Sequence, residues 1–282
     1  MRRLGTGSAN PIGRAIAYAV MVLFAVLTIG PLLWLLYSSF KPESEIMQSM
    51  LAFPVVPTLE NYVSAWSLGH MGVLFINSII YTGVATAITV FLAVAAGYGF
   101  AKFDYRRTTG FLYFFIMLGL LITIPSVLVP LFVVETRVHV ADTRLGVIIP
   151  YIAFGLPVAI YLATAYVKGV PGSLEESAII DGATYLRIFW SIIFPVSRPI
   201  VATMAILAFV NNWNEFFLVF VLTNKEAVWS LPVGINEFAG ALNLNYAIEF
   251  AALVIGTVPM IIFYLFFHER LAQGFAQGAL KE

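Results

Sequence analysis

Six stretches of this chain are apolar enough and long enough to cross a lipid bilayer, which leaves few choices for its fold. Each is close to the roughly 20 residues that a helix needs to span the hydrocarbon core. They lie at 15–40, 72–101, 109–134, 145–167, 197–222 and 247–268. Hydrophobic residues make up 61% of the 282 positions and charged residues only 11%, whereas a soluble domain carries about 25% charged residues. The sequence therefore predicts an all-α polytopic membrane protein with six transmembrane helices, the whole of 1–282 forming one transmembrane domain.

Proline occurs inside most of these predicted spans. Such residues commonly kink membrane helices, because the helix loses a backbone hydrogen bond while neighbouring helices satisfy the freed carbonyl group. We therefore expect bends at Pro31, Pro125, Pro130, Pro157 and Pro259. The sequence leaves open whether these bends only fit the helices together or also take part in gating.

The distribution of lysine and arginine predicts which way the spans run. Basic residues concentrate in the cytoplasmic segments of membrane proteins. Eleven of the fifteen basic residues fall on one side of the predicted spans, and the other side holds Lys41, Arg137, Arg144 and Lys225. The richer side contains both termini and segment 173–199, so these parts are predicted to be cytoplasmic. The external segments are then 41–71, 135–144 and 223–246.

Segment 173–199 is semi-polar and carries its own helix signals between two apolar stretches. Ser173 followed three positions later by Glu176 fits a capping box, in which each side chain accepts a hydrogen bond from a backbone N–H at the helix start. Gly182 is suited to end this helix, because glycine adopts left-handed backbone geometry without steric cost. A second helix should follow and end at Pro195, with an apolar face formed by Tyr185, Ile188, Phe189, Ile192 and Ile193.

This segment resembles the "EAA" loop of ABC-importer permeases. The family pattern is Glu-Ala-Ala, three residues, glycine, and a later apolar-Pro pair. Here the order is Glu176-Ser177-Ala178, then Gly182, then Phe194-Pro195, with serine replacing one small residue by another. The resemblance implies a cytoplasmic coupling helix that fits a cleft in an ATPase. Its coupling loop would comprise Glu175, Glu176, Ser177, Ala178, Asp181, Gly182, Ala183 and Pro195.

Short motifs elsewhere are similar to the maltose-type branch of these permeases, which takes up carbohydrates. They are Phe53-Pro54, the run Pro57–Tyr62, the run Leu231–Gly234 and the tail Gly278–Lys281. The resemblance implies a multi-pass subunit of a bacterial plasma membrane that forms half of a translocation pore. It also implies a second homologous permease subunit, two ABC ATPase subunits, an external substrate-binding protein and a carbohydrate substrate, with no nucleic acid among the partners.

A polar cluster interrupts the fifth predicted span. Asn211, Asn214 and Glu215 would share one face of a continuous helix by their i, i+3, i+4 spacing. A carboxylate at the bilayer centre costs about 2.5–3.5 kcal/mol on insertion scales, so we expect it to face a cavity or a partner. Two interpretations stay open: the cluster lines the sugar path, or it forms hydrogen bonds that hold helices together. Asn77 and Ser78 in the second span are weaker path candidates, and for them the second interpretation is favoured.

The sequence carries no catalytic signature. It lacks a Gly-x-x-x-x-Gly-Lys-Ser/Thr phosphate loop, so ATP hydrolysis is expected from partner subunits and the chain itself is expected to be a non-catalytic permease. It has no cysteine, and its three histidines lack the spacing of metal ligands. No cofactor or metal is therefore predicted.

Two other functions account for part of the sequence. A proton-coupled secondary carrier would use Glu215 as a proton relay, but it leaves segment 173–199 unexplained, and the chain shows no internal repeat of the kind found in carriers built from two halves. A membrane scaffold would dock a cytoplasmic partner without transporting anything. In the leading interpretation, an ATP-driven carbohydrate importer, the sequence does not identify the sugar.

Overall fold

The computed structural model describes residues 11–103, 108–241 and 245–279. Within these ranges all regular structure is helical. The α-helices are α1 (Pro11–Ser38), α2 (Glu43–Gln48), α3 (Glu60–Leu68), α4 (Met71–Lys102), α5 (Thr108–Leu118), α6 (Ile124–Arg137), α7 (Arg144–Lys168), α8 (Ser173–Ile180), α9 (Tyr185–Ile188), α10 (Phe194–Val196), α11 (Arg198–Trp213), α12 (Phe217–Leu222), α13 (Leu231–Ala241) and α14 (Tyr246–Ala279). Two 3₁₀ turns (Gly119–Leu121 and Glu226–Val228) and a π-helical turn (Phe189–Ile193) complete the set. The end of the predicted tail motif, Leu280-Lys281, lies outside the described residues.

Four helices in the described part are long and apolar enough to cross a membrane without a break. They are Gly13–Ser38, Met71–Lys102, Arg144–Lys168 and Tyr246–Phe267. Two further candidate spans are bent pairs of helices, so the described residues contain six spans when each pair is taken as one. The all-α polytopic fold with six predicted spans is confirmed, and four of the predicted ranges match a single helix closely.

The third predicted span, 109–134, is not one helix. Thr108–Leu121 and Ile124–Arg137 meet at 105°, because Ile122 and Thr123 take extended backbone conformations between them. Pro125 lies in the first turn of α6, where the absence of a backbone N–H costs nothing. The proline therefore begins a new helix here instead of kinking a continuous one.

The fifth predicted span, 197–222, is also wrong as a single helix. A helical run over Tyr185–Val196 enters α11 through a bend of 73°, and Pro199 lies at the start of α11. This helix ends at Trp213, and α12 begins only at Phe217. The polar residues at 211–215 consequently lie around a helix end and not in the middle of a helix.

In the unit formed by His70–Glu237 and Gly256–Glu282, α4 packs along α7 and α11. The closest approach is at Gly97. A Cβ atom added there would lie 2.7 Å from the Cβ of Ala163 and 2.9 Å from the backbone N of Thr164. Small residues at such a crossing let two helix backbones approach closely, as is typical of helix packing in membranes.

The other unit, Met1–Gly69 with Phe238–Ile255, has its own small core around Ile46 and Phe250. Its loop backbone is held by two buried polar side chains. The Asn61 side-chain amide donates to the carbonyls of Ser39 and Lys41, both at 2.8 Å. The Lys41 Nζ donates to the carbonyls of Ser49 and Met50, both at 3.2 Å. Asn61, which the sequence marked only as part of a short motif, thus orders this segment.

Candidate coupling site and polar cavity

Segment 173–199 folds into two short helical stretches, and we call it the knob. Its first helix, α8, begins one residue earlier than a capping box requires. Ser173 is its first helical residue, and Gly172 is the N-cap with φ −62° and ψ −27°. The Glu176 backbone N–H donates to the Gly172 carbonyl at 3.0 Å, and the Ser177 hydroxyl donates to the Ser173 carbonyl at 2.7 Å. The predicted capping box of Ser173 and Glu176 is therefore wrong, because the helical backbone already starts at the flexible glycine.

The end of α8 follows the prediction. Gly182 has φ +76°, the left-handed region that glycine enters without a steric penalty. The Gly182 N–H donates to the Ile179 carbonyl at 3.0 Å, and the Ala183 N–H donates to the Ala178 carbonyl at 2.9 Å. This pair of bonds is a Schellman motif, which satisfies carbonyl groups left free at the helix end and turns the chain sharply. Asp181 is the C-cap residue and is exposed.

The second helix of the knob is interrupted by a π-helical turn. It runs as α9, the turn over Phe189–Ile193, and α10. The extra residue of a π turn rotates the helix register, so the predicted apolar face is only partly buried. Ile188, Phe189 and Ile193 are buried, whereas Tyr185 is exposed. Pro195 does not end the helix, which continues to Val196 before the bend into α11.

The inner side of the knob is tied to the membrane helices. Ala178 and Ala183 pack against a core cluster built by α4, α7, α11 and the π turn. Glu175 forms an ion pair with Lys102, the last residue of α4, with 2.8 Å between Oε1 and Nζ. The Tyr98 hydroxyl, also on α4, donates to Glu175 Oε2 at 3.4 Å. These contacts hold α8 against the end of one transmembrane helix.

The outer side of the knob combines exposed apolar and acidic side chains. Ile180 is 85% exposed and Leu186 is 69% exposed. Neighbouring apolar groups that remain in contact with solvent outside the predicted spans are typical of protein interaction surfaces. We call this set the coupling surface; it comprises Leu174, Glu176, Ile179, Ile180, Asp181 and Leu186.

A cavity of about 290 Å³ lies where α11 ends, between residues of α6, α7, α11 and α12. Most of its lining is apolar, and we call it the polar cavity after the four polar side chains that line it. Asn211, Asn212 and Glu215 line it together with Tyr151. The expected common face of Asn211, Asn214 and Glu215 does not exist, because α11 ends at Trp213. Asn214, the residue after α11, does not line the cavity; its side-chain amide donates to the Val210 carbonyl of α11 at 2.8 Å.

Glu215 accepts a backbone hydrogen bond at the break between α11 and α12. Its carboxylate oxygens accept the Leu218 N–H at 2.9 and 3.1 Å, so they satisfy a donor that the start of α12 leaves free. The Tyr151 hydroxyl donates to the same carboxylate at 3.4 Å. Asn212 contacts Thr86 of α4 at 3.5 Å. Asn211 is exposed, and within the described part of the chain its amide makes no side-chain hydrogen bond.

A second group of polar side chains lies near the start of α4, at the end opposite Lys102. The Asn77 amide donates to the carbonyls of Ala227 and Trp229 at 2.9 and 3.0 Å, and Ser78 accepts the Leu231 N–H at 2.8 Å. The network agrees with the interpretation of Asn77 and Ser78 as structural. Sequence reasoning missed two further members, Tyr81, which donates to Val228, and Arg144, which donates to Asn77.

Comparison with known proteins assigns this multi-span membrane protein to the transport permeases. It belongs to the family described as the binding-protein-dependent transport system inner membrane component, whose sequence model matches residues 93–277. That range contains the knob and the residues named above as lining the polar cavity. As a member, the chain is an inner membrane component of a transporter and a permease without the ATPase, as predicted.

Relatives that match almost the whole chain have transport names. The chain is 33% identical to the diacetylchitobiose uptake system permease protein of Streptomyces coelicolor, over 95% of this chain and 89% of the relative. It is 35% identical to the trehalose transport system permease protein of Mycobacterium tuberculosis, over 95% and 96%. The multiple sugar-binding transport system permease protein of Streptococcus mutans is 31% identical, over 94% and 96%.

The fold also matches a solved structure. A crystal structure of a bacterial ABC transporter involved in the import of the acidic polysaccharide alginate superposes with a TM-score of 0.80 at 24% identity. The match covers 94% of this chain and 98% of that chain. At this level of identity the likeness concerns the fold.

Proposed function

We propose that this chain is the transmembrane subunit of an ATP-driven importer for carbohydrates and forms half of its pore. Three relatives of nearly equal length are named for the uptake of diacetylchitobiose, trehalose or multiple sugars. The observation that carries the proposal is the knob on this permease fold. It is anchored on its inner side by an ion pair and carries an apolar surface on its outer side, which suits it to pass movement from a docked ATPase to the spans.

The proposed assembly contains a second homologous permease, two ABC ATPase subunits and an external substrate-binding protein. Both termini and the coupling surface face the cytoplasm, in keeping with the distribution of basic residues. The loop 223–231, held to α4 by Asn77, then lies on the external side. Neither a proton-coupled carrier nor a simple scaffold would explain why the chain belongs to a family of binding-protein-dependent transport components.

The polar cavity is the proposed part of the sugar path in this subunit. Asn211 lines the cavity and is exposed, and among the described residues its amide makes no side-chain hydrogen bond. Amide groups suit sugar hydroxyls, since each amide both donates and accepts hydrogen bonds. Glu215 supports this site by ordering the start of α12, and Asn214 has no direct part in it.

The coupling loop gives a prediction at Gly182. Gly182→Val should reduce association with the ATPase and sugar uptake, because a left-handed conformation costs a residue with a Cβ about 1–2 kcal/mol. Open space surrounds the position, with no atom within 4 Å of an added Cβ, so the cost is conformational. Gly182→Asn should be milder, since asparagine tolerates this conformation better.

The matched control is Gly172→Ala. Gly172 has a helical backbone, and an added Cβ meets only Glu176 Oε1 at 3.8 Å, an ordinary contact. The complex carrying each variant is purified and its ATPase content and uptake rate are measured. Equal loss in Gly172→Ala and Gly182→Val, or no loss in Gly182→Val, contradicts the proposed turn.

The proposed function is tested on the purified complex in liposomes. The chain is expressed with its ATPases and binding protein, and uptake of radiolabelled diacetylchitobiose, trehalose and a longer oligosaccharide is measured. We expect the complex to take up at least one of these sugars, and only when ATP is present. ATP hydrolysis should rise when the sugar-loaded binding protein is added. Uptake driven by a proton gradient without ATP would overturn the proposal.

A further inference from the structure

Helix α4 is the one proline-free transmembrane element among the spans that the structure describes. It runs without a break over the 32 residues Met71–Lys102, about 48 Å at 1.5 Å per residue. Every other described span contains proline, at Pro31, Pro125, Pro130, Pro150, Pro157, Pro195, Pro199 and Pro259. Since proline weakens or bends a helix, α4 is the element best suited to move as a rigid rod.

The cytoplasmic end of this rod is bound to the knob by Lys102. Its Nζ lies 2.8 Å from Glu175 Oε1 and donates to the carbonyl of Val170, also at 2.8 Å. The side chains of Lys102 and Glu175 are only 16% and 13% exposed. A partly buried ion pair is screened by salt much less than a surface pair, and it fixes both the start of the loop and the first turn of α8.

The neighbouring acids of α8 have different surroundings. Glu175 points inward and is paired with Lys102, whereas Glu176 is exposed on the coupling surface. A docked protein can therefore contact Glu176, whereas Glu175 is held against transmembrane helix α4.

The external end of the rod is bound to another loop. Asn77 and Ser78 lie in the second turn of α4, and Tyr81 lies one turn further along. All three bond to backbone groups within 227–231, at 2.8 to 3.0 Å. A displacement of α4 along its axis therefore carries this external loop with it.

We propose that Lys102 is a positioning residue for transport, through which movement of the knob is passed to α4 and from there to the loop 227–231. The proposal rests on the proposed function, since it assigns the internal connection of the same coupling loop. In this scheme the ion pair contacts neither the ATPase nor the sugar. Loss of the ion pair should leave the ATPase docked on the knob. It should break the mechanical connection between the docked ATPase and the loop 227–231.

The test uses the full complex in liposomes with its binding protein. Lys102→Met and Glu175→Gln each remove the ion pair with little change in side-chain size. We expect Lys102→Met to keep the ATPases bound and to keep basal hydrolysis. In both variants stimulation by the sugar-loaded binding protein should fall about fivefold or more, the low end of typical coupling between sites. The double variant Lys102→Glu with Glu175→Lys should recover most of the stimulation, and Lys102→Arg should behave like the wild type.

Lys168→Met is the matched control. Lys168 is the last residue of α7, as Lys102 is of α4, but it lies over the Tyr113 ring and is not paired with Glu175. It should leave stimulation unchanged. If Lys102→Met fails to assemble, Glu175→Gln and the charge exchange carry the test.

Two outcomes overturn the proposal while the proposed function stands. One is normal stimulation in both single variants. The other is a loss that the charge exchange does not repair and that follows a lower thermal midpoint, which would make the pair merely structural. A wild-type complex that binds no ATPase would instead overturn the proposed function, and this inference with it.

Discussion

Gly97→Leu should be the most damaging single substitution in the transmembrane core. An added Cβ would lie 2.9 Å from backbone atoms of Ala163 and Thr164, and backbone cannot move aside as a flexible side chain can. Overpacking a core costs typically 1–3 kcal/mol, and we expect about 3 kcal/mol or more here because α4 and α7 must separate. The measurement is the thermal midpoint of the detergent-solubilised complex, followed by fluorescence-detected size exclusion.

Gly99→Leu provides the comparison on the same helix. Nothing lies within 4 Å of a Cβ added at Gly99, so helix propensity is equally altered without a clash. Its midpoint should remain close to that of the wild type. Equal destabilisation by the two variants would show that the close approach of α4 and α7 does not limit stability.

Glu215→Leu should produce the second large effect, on stability and not on energy coupling. It removes the acceptor of the Leu218 N–H and of the Tyr151 hydroxyl. Leaving a buried donor without a partner costs about 1–3 kcal/mol, and water is scarce in the membrane interior. Glu215→Gln keeps an oxygen acceptor and should lose much less. Both midpoints, with the apparent affinity for sugar, are measured on the same preparations.

Asn211→Ala supplies the opposite pattern. Its amide has no side-chain hydrogen bond within the described residues, so its loss should weaken the apparent sugar affinity and leave the midpoint unchanged.

A changed sugar preference in Glu215→Gln without a change in stability would instead assign Glu215 to the sugar path. Loss of a proton dependence of uptake in Glu215→Gln would favour the secondary carrier.

The length and composition of the apolar stretches were sufficient to predict the spans, but not where a span breaks. Hydropathy reports whether a segment can lie in lipid, not the direction of its axis. At Ile122-Thr123 the chain stays apolar while it turns by 105°, so no change of composition marks the turn. Pro125 was visible in the sequence, and it permits either a kink or a new helix start.

Local rules worked best where one residue type is required. Gly182 was predicted to end α8 because its turn needs a left-handed residue, and the structure has φ +76° there. Ser173 failed as a capping residue because Gly172, just before it, also suits a helix start.

Contacts between distant parts of the chain were outside the reach of these rules. Glu175 was recognised as part of the coupling loop, but its partner Lys102 lies at the end of another span. Tyr151, which contacts Glu215, is likewise on a different helix. Such pairs depend on how α4, α7 and α11 pack, and a sequence pattern contains no information on that arrangement.

Single-cysteine crosslinking at Ile180 tests the central claim most directly. The chain has no cysteine, so Ile180→Cys, at a position where the native side chain is 85% exposed, can carry one thiol-linked photoreactive probe in the active complex. We predict a crosslink to an ATP-binding subunit and labelling only after the membrane is permeabilised. Glu226→Cys, at an exposed position on the loop proposed to be external, should be labelled from outside and give no such crosslink. Labelling of Ile180→Cys from outside, or the absence of an ATPase crosslink in a complex that transports sugar, would contradict the account.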